Sequence, residues 1–195
     1  MLLYVFWHWP RAEVDLDAYE RDEAAFQRAL STARPEGLVH SAVFRCAGAG
    51  WVNAGQAGYE DAYLLETSAG LDVLNDSAVQ GECKEPHDRL AATMQAGAGG
   101  LYSLRLGDPP TVPAGDALWL SKPQGTRYDE LYARLRPLTD RAGVTLWRRQ
   151  MVLGPAPELF LVGAPTAPER AVPAGLDFVT VTRDQIWPGA GGRRG

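Results

Sequence analysis

Few side chains in this sequence stand where they could do chemistry, and a histidine between two tryptophans is the first of them. His8 lies in LYVFWHWP (Leu3–Pro10), with Trp7 and Trp9 as neighbours and, by strand alternation, Tyr4 and Phe6 on its own face. An imidazole walled by aromatic rings is pushed toward its neutral form, which suits a general base or a ligand-facing donor. The same surroundings also describe a core histidine satisfied by one partner. His40 sits in GLVHSAVF on the face of Leu38, Ala42 and Phe44. If the two strands are neighbours, His8 and His40 share one pocket, a natural seat for a catalytic base or a haem ligand. Arg148 and Arg149 are consecutive in TLWRRQMV, so on a strand they face opposite sides. With both sides covered, at least one guanidinium needs a carboxylate, either internal (Glu66 or Glu158) or from an anionic ligand. Lys122 is a weaker member of this basic group.

Other clusters carry less. Glu82, Cys83, His87 and Asp88 offer metal-ligating atoms at close spacing, but no second His or Cys cluster exists to complete a coordination sphere, so no metal is expected. Gly48–Gly50 leads into a strand and Gly97–Gly100 follows a helix, so neither run opens a helix onto a phosphate. No GxSxG, Walker or HExxH pattern occurs.

The elements that must position these residues repeat. ALWLSKP (Ala117–Pro123) resembles LYVFWHWP: an apolar run with a Trp, closed by a proline. A helical stripe follows each, Leu16, Tyr19, Phe26 and Leu30 in the first and Tyr128, Leu131, Leu135 and Leu138 in the second. Asp15 and Asp17 suit the start of the first helix, and Pro137 is expected to end or kink the second. Strands then open at Gly37 and Gly143, followed by EDAYLLE against PELFLVG and GLYSLRL against GLDFVTV. Between the third and fourth strands the first copy adds a helix capped by Ser68 and another starting at Pro86, while Ala164–Ala174 in the second copy has three prolines and cannot sustain a full helix. The expected pairing of copies sets Ser121 opposite His8 and Leu146 opposite His40. The fold class is thus α+β: two tandem ferredoxin-like βαββαβ repeats, residues 1–110 and a shortened 111–188, with residues 189–195 a disordered tail. Strands apolar at both parities require both sheet faces to be covered, which two packed units achieve.

Composition bounds the rest. A net charge of −5 gives no cationic face for nucleic acid. The apolar run Leu2–Trp7 is far shorter than the roughly 20 residues of a spanning helix, and no signal-peptide layout surrounds it. Cys46 and Cys83 read as reduced thiols, and a cytoplasmic location is expected.

With this element order the chain resembles the dimeric α/β-barrel superfamily, including its antibiotic-biosynthesis monooxygenase-like and EthD-like members. The most family-like stretch is YLLETSAGLDVLNDSAVQGECKEPHDRLAA. The resemblance implies an α/β barrel formed as an intrachain pseudo-dimer, able in principle to pair again as a homodimer. It also implies a small-molecule pocket between sheet and helices of the first copy, lined by Trp7 or His8, His40, Phe44, Tyr63 and Trp51. The implied chemistry is cofactor-independent oxygenation or proton transfer on an aromatic or polyketide-like substrate, with a histidine as base and an arginine on the developing oxyanion. A non-catalytic structural or protein-interaction module is the alternative, and haem or porphyrin binding the third. Whether the chain is an enzyme is left open, because fold does not select function.

Overall fold

The computed structural model describes residues 1–48, 58–150, 157–163 and 171–188. Eight strands, β1 (Leu2–Pro10), β2 (Leu38–Ala47), β3 (Gly58–Leu65), β4 (Met94–Leu106), β5 (Ala117–Leu120), β6 (Thr145–Arg149), β7 (Leu159–Val162) and β8 (Phe178–Trp187), close into one antiparallel barrel. The order around it is β1-β3-β2-β8-β5-β7-β6-β4. The first four strands run β4-β1-β3-β2 and the last four β8-β5-β7-β6, with β2–β8 and β4–β6 as seams. Helices α1 (Leu16–Ala33), α2 (Ala69–Ala78), α3 (Gly81–Thr93) and α4 (Tyr128–Thr139) accompany the strands. No helix among the described residues is long and apolar enough to cross a membrane.

Local chemistry explains most boundaries. The Asp15 carboxylate accepts from the Ala18 amide at 2.8 Å, capping α1. Leu16, expected on the buried stripe, is 39% exposed, because it lies at the first helical position while the stripe begins at Tyr19. Ser68 precedes α2 without a side-chain cap. The third helix starts at Gly81, so Pro86 falls inside it rather than opening it. Pro137 likewise does not end α4, which runs two residues further. The eighth strand extends to Trp187, beyond the expected end at Val181.

The barrel encloses one core and carries two more outside. Trp7, Phe44, Tyr102, Trp119, Trp147 and Phe160 fill its interior, with Trp119 and Phe160 stacked at 4.3 Å. In the second half the outer face of the strands meets α4 through leucines, among them Leu118, Leu120, Leu131, Leu135 and Leu161. In the first half the outer face meets α1, α2 and α3 through Tyr19, Phe26, Leu74 and Leu90. These directions correct the residue pairing expected from sequence. Matching Pro10 with Pro123 equates inward Trp7 with outward Leu120, and matching Gly37 with Gly143 equates inward His40 with outward Leu146. A single-residue slip reverses every side chain, so neither Ser121 nor Leu146 is the facing equivalent of its histidine.

One buried ion pair is set into the apolar interior. Arg183 donates through Nε to Glu60 at 2.9 Å and through Nη1 to the carbonyls of Pro113 and Gly115, and its guanidinium lies 3.6 Å over the Phe44 ring. Trp7 Nε1 donates to the other Glu60 oxygen at 3.0 Å. Because Glu60 is the carboxylate that balances the Arg183 charge and also takes the Trp7 N–H, Glu60→Ala strands a buried guanidinium. It is expected to lower the unfolding free energy by about 3–5 kcal/mol, read from urea denaturation of wild type and variant. A loss below about 1 kcal/mol would show that the pair is not a keystone of the interior.

Candidate functional site

Between α1 and the outer face of β1 and β3 lies a buried polar cluster with no counterpart in the leucine core of the second half. Cross-strand register places it: Tyr4 opposite Tyr63, Phe6 opposite Asp61 and His8 opposite Tyr59, all on the outer face. Tyr19 and Glu23, one helical turn apart on α1, come down onto His8. His8 is fully buried; its Nδ1 is 2.5 Å from the Tyr19 hydroxyl and its Nε2 is 3.0 Å from Asp61 Oδ1 and 3.8 Å from Glu23 Oε2. The second Asp61 oxygen accepts from the Tyr63 hydroxyl at 3.0 Å. Gln27 Nε2 donates both to Tyr63 Oη at 3.0 Å and to Glu23 Oε1 at 3.1 Å. Glu23 Oε2 and Gln27 Oε1 have no hydrogen-bond partner.

A cavity of about 190 Å³ adjoins this cluster. Its wall includes Tyr4, Phe6, Asp61 and Tyr63 from the sheet, Leu74 and Ala78 from α2, and His87 and Ala91 from α3. Two glycines shape the sheet side. A Cβ on Gly97 would meet the Phe6 ring at 2.4 Å, and one on Gly99 would meet the Tyr4 hydroxyl at 2.9 Å. The Gly-rich start of β4 therefore makes room for two of the rings that line the cavity.

Electrostatics in the cluster depart from expectation. Burial alone would lower the His8 pKa, but the Asp61 carboxylate, by charge and hydrogen bond, and then Glu23 reverse this, so the imidazole titrates above its ordinary range rather than below it. Burial, reinforced by the charge of Asp61, pushes the Glu23 carboxyl up to about 8. Tyr19 and Tyr63 are raised as well, first by burial and then by these carboxylates.

The expected site residues scatter. His8 belongs to the cluster but sits behind Asp61, not on the cavity wall. Tyr63 lines the cavity. His40 is on the inner face of the barrel wall, its Nδ1 accepting from the Val112 amide at 3.2 Å, and burial lowers its pKa. Strand β3 separates its strand from that of His8, so the two histidines share no pocket. Trp7 and Phe44 point into the packed interior, where they hold Glu60 and Arg183. Trp51 lies outside the described residues. Arg148 stacks over the Tyr128 ring at 4.6 Å, and Arg149 donates to the Pro157 carbonyl at 2.9 Å, both in the second half and away from the cavity. Glu158, one of the two carboxylates expected to pair with them, instead accepts from the Lys122 amide at 3.2 Å. His87 lines the cavity, while the sequence-adjacent Cys83 is buried. Among the described residues the metal-ligating group that converges is His8, Glu23 and Asp61. Asp61 and Glu23 went unnoticed in the sequence, although each left a signal: Asp61 follows Glu60 in an otherwise apolar strand, and Glu23 interrupts the stripe between Tyr19 and Phe26.

No family model matches the chain, and no curated protein matches it. Solved structures do. Two are putative monooxygenases, one from Fusobacterium nucleatum (TM-score 0.60, 6% identity, 93% of this chain and 91% of that one) and one from Lactobacillus acidophilus (TM-score 0.56, 9% identity, 94% of each). A chlorite dismutase from Candidatus Nitrospira defluvii is similar at TM-score 0.50 and 7% identity, covering 95% of this chain and 91% of that one. The shared property is the fold. At these identities it is the ferredoxin-like α/β barrel that is common, and the polar cluster is argued from this chain alone.

The raised groups make stability depend on pH in a stated direction. A carboxyl raised from its unfolded value to about 8 contributes stability that is complete below pH 4.5 and lost as pH climbs to 8. His8, also raised, adds loss in the same direction as pH passes its folded value. Wild type is therefore expected to lose roughly 2–4 kcal/mol of stability between pH 5 and pH 8.5, and Glu23→Gln a markedly smaller amount. Parallel urea titrations at the two pH values check this; equal losses would contradict a protonated Glu23.

Proposed function

We propose that the first half of the chain binds a single-ring aromatic or enolisable molecule and removes a proton from it. The observation that carries this reading is the position of Asp61, whose carboxylate lies on the wall of a 190 Å³ cavity while His8 Nε2 holds it from behind at 3.0 Å. His8 and Tyr63 hold the carboxylate in place, and a held titratable group on a cavity wall is a candidate for acid–base work. The volume supports one ring rather than a fused polycycle, since an apolar cavity of about 150 Å³ accommodates benzene. Phe6, Phe26 and Leu74 supply apolar walls, and the Tyr4 and Tyr63 hydroxyls and His87 supply polar contacts.

In this reading Asp61 accepts the proton from a phenolic O–H or acidic C–H, leaving the ligand as its anion. His8, backed by Tyr19 and Glu23, fixes the carboxylate and shares the proton load. Among the described residues no arginine lines the cavity, so the anion is met by tyrosine hydroxyls and His87 instead. Proton removal is the step common to cofactor-free oxygenation and to simple isomerisation, and the residues present account for that step. The test uses phenol binding by thermal shift, and solvent-deuterium exchange into a small 1,3-diketone. Ala91→Trp should abolish the thermal shift, and Asp61→Asn should slow exchange about 10²–10⁴-fold with phenol binding retained. Exchange unchanged in Asp61→Asn would remove the catalytic reading and leave a binding protein.

A porphyrin does not suit the same place. His8 is fully buried and is not part of the cavity wall, so a porphyrin iron in the cavity does not reach it, and a cavity for one ring is too small for four. Haemin added to the protein is expected to give no Soret band that depends on His8; a band lost in His8→Ala would restore the haem reading.

We also read the chain as one pseudo-dimer of two tandem units, residues 1–110 and 111–188. The equal strand order of the two halves and their symmetric seams support it. The packed barrel interior and the leucine core around α4 support a structural role for the second unit, with the ligand site confined to the first.

A further inference from the structure

The geometry points to a metal site in the same cluster: we infer that His8, Glu23 and Asp61 bind one divalent first-row transition ion, of the zinc, iron(II), cobalt or manganese class. One donor atom from each of the three residues lies within 4.8 Å of the other two. His8 Nε2 stands 3.0 Å from Asp61 Oδ1 and 3.8 Å from Glu23 Oε2. A tetrahedral ion with bonds of about 2.0–2.2 Å holds its donors about 3.3–3.6 Å apart, so the donors move inward onto an ion that binds.

The decisive atom is Glu23 Oε2. Its residue is fully buried, the oxygen has no hydrogen-bond partner, and it faces the nitrogen that Asp61 also faces. The partner oxygen of the same carboxylate is already held by Gln27, so Oε2 is the one left to coordinate. Charge also balances, because two carboxylates with a neutral imidazole and a divalent cation leave no net charge in a dry site.

The surroundings fit a metal-binding triad. With an ion bound, Nδ1–H of His8 would donate to the Tyr19 hydroxyl and Nε2, exchanging its Asp61 contact for the ion, would give its lone pair, while Tyr63 and Gln27 orient the two carboxylates. Three protein ligands leave coordination positions open, and Asp61 is the ligand of the three that also lines the cavity. One nitrogen with two oxygens is the donor set of transition ions, whereas calcium takes 6–8 oxygens. The inference stands on these donors and not on the proposed ligand, although ion and proton compete for them.

Cobalt(II) is the probe, added to the full-length protein after chelator stripping and dialysis. One equivalent is expected to develop visible d–d absorption, with affinity that rises about tenfold or more from pH 6 to pH 8 as the ion displaces protons. Zinc should abolish the band. Glu23→Gln, which removes a buried acid and is expected to fold, should weaken cobalt binding at least tenfold; Tyr19→Phe should weaken it less; His87→Ala should leave it unchanged. Circular dichroism verifies the fold of each variant. Absence of a saturable band, a band indifferent to Glu23→Gln, or one lost in His87→Ala instead would each overturn the site. Phenol binding measured on the stripped protein reports separately on the cavity, so the failure of either reading is distinguishable from failure of the other.

Discussion

A barrel closed on itself and then wrapped by helices has no wet face on its central strands, and this one constraint governs every polar residue of β1 and β3. Each must be matched inside the protein or left at a cost of about 1–3 kcal/mol for an unpaired neutral group. The consecutive acids of β3 show the constraint at work. Glu60 turns inward and is answered by Arg183 and Trp7; Asp61 turns outward and is answered by His8 and Tyr63. In the inner arrangement a cation meets its counter-charge, with a ring beneath it and carbonyls around it, and Arg183 Nη2, which makes no hydrogen bond, still lies 2.9 Å from Glu60 Oε1. In the outer one Glu23 enters with an oxygen that has no hydrogen bond and stands 3.8 Å from His8 Nε2.

The second half supplies the comparison that gives this incompleteness meaning. There the same layer, strand outer face against helix, is built from leucines on β5, β6, β7 and α4. Nothing in the architecture therefore asks for histidine, aspartate or glutamate at that depth. A fold that can seal the layer with leucine in one half carries in the other a set of ionisable groups that packing alone does not require. Natural sequences depart from local consistency chiefly at functional sites, and this is where the present chain departs.

Much of the architecture was legible because its signals are periodic. Apolar strands punctuated by Gly and Pro, and the Tyr19–Phe26–Leu30 and Leu131–Leu135–Leu138 stripes, led to the α+β element order that closes into the barrel. Facing direction was not legible. Punctuation by Pro10 and Pro123 marks where strands stop but not which side a residue takes, and an odd offset inverted the pairing of His8 and His40 with the other half. The site was half legible for the same reason. His8 stands out by type, whereas Asp61 and Glu23 become significant only when β3 and α1 are known to flank it. For Arg148 and Arg149 the strand position alone did not show the partners: a tyrosine ring lies under the first, and a backbone carbonyl and the Tyr102 side chain meet the second.

Why the cavity lies beside Asp61 follows from the same packing. Two helices, α2 and α3, cover this flank beside α1, and they present small residues, Ala78 and Ala91, toward the sheet. On the sheet side Gly97 and Gly99 let Phe6 and Tyr4 lie over β4, a position that any Cβ would deny them. Small residues above and absent side chains below leave a volume that the leucines of the second half would fill. The glycine run, which has no phosphate-binding geometry, is thus the feature that opens space in front of a buried carboxylate. Cavity and carboxylate arise from different segments, β4 with α3 on one hand and β3 with α1 on the other, and their coincidence is the strongest argument that the pair works as one site.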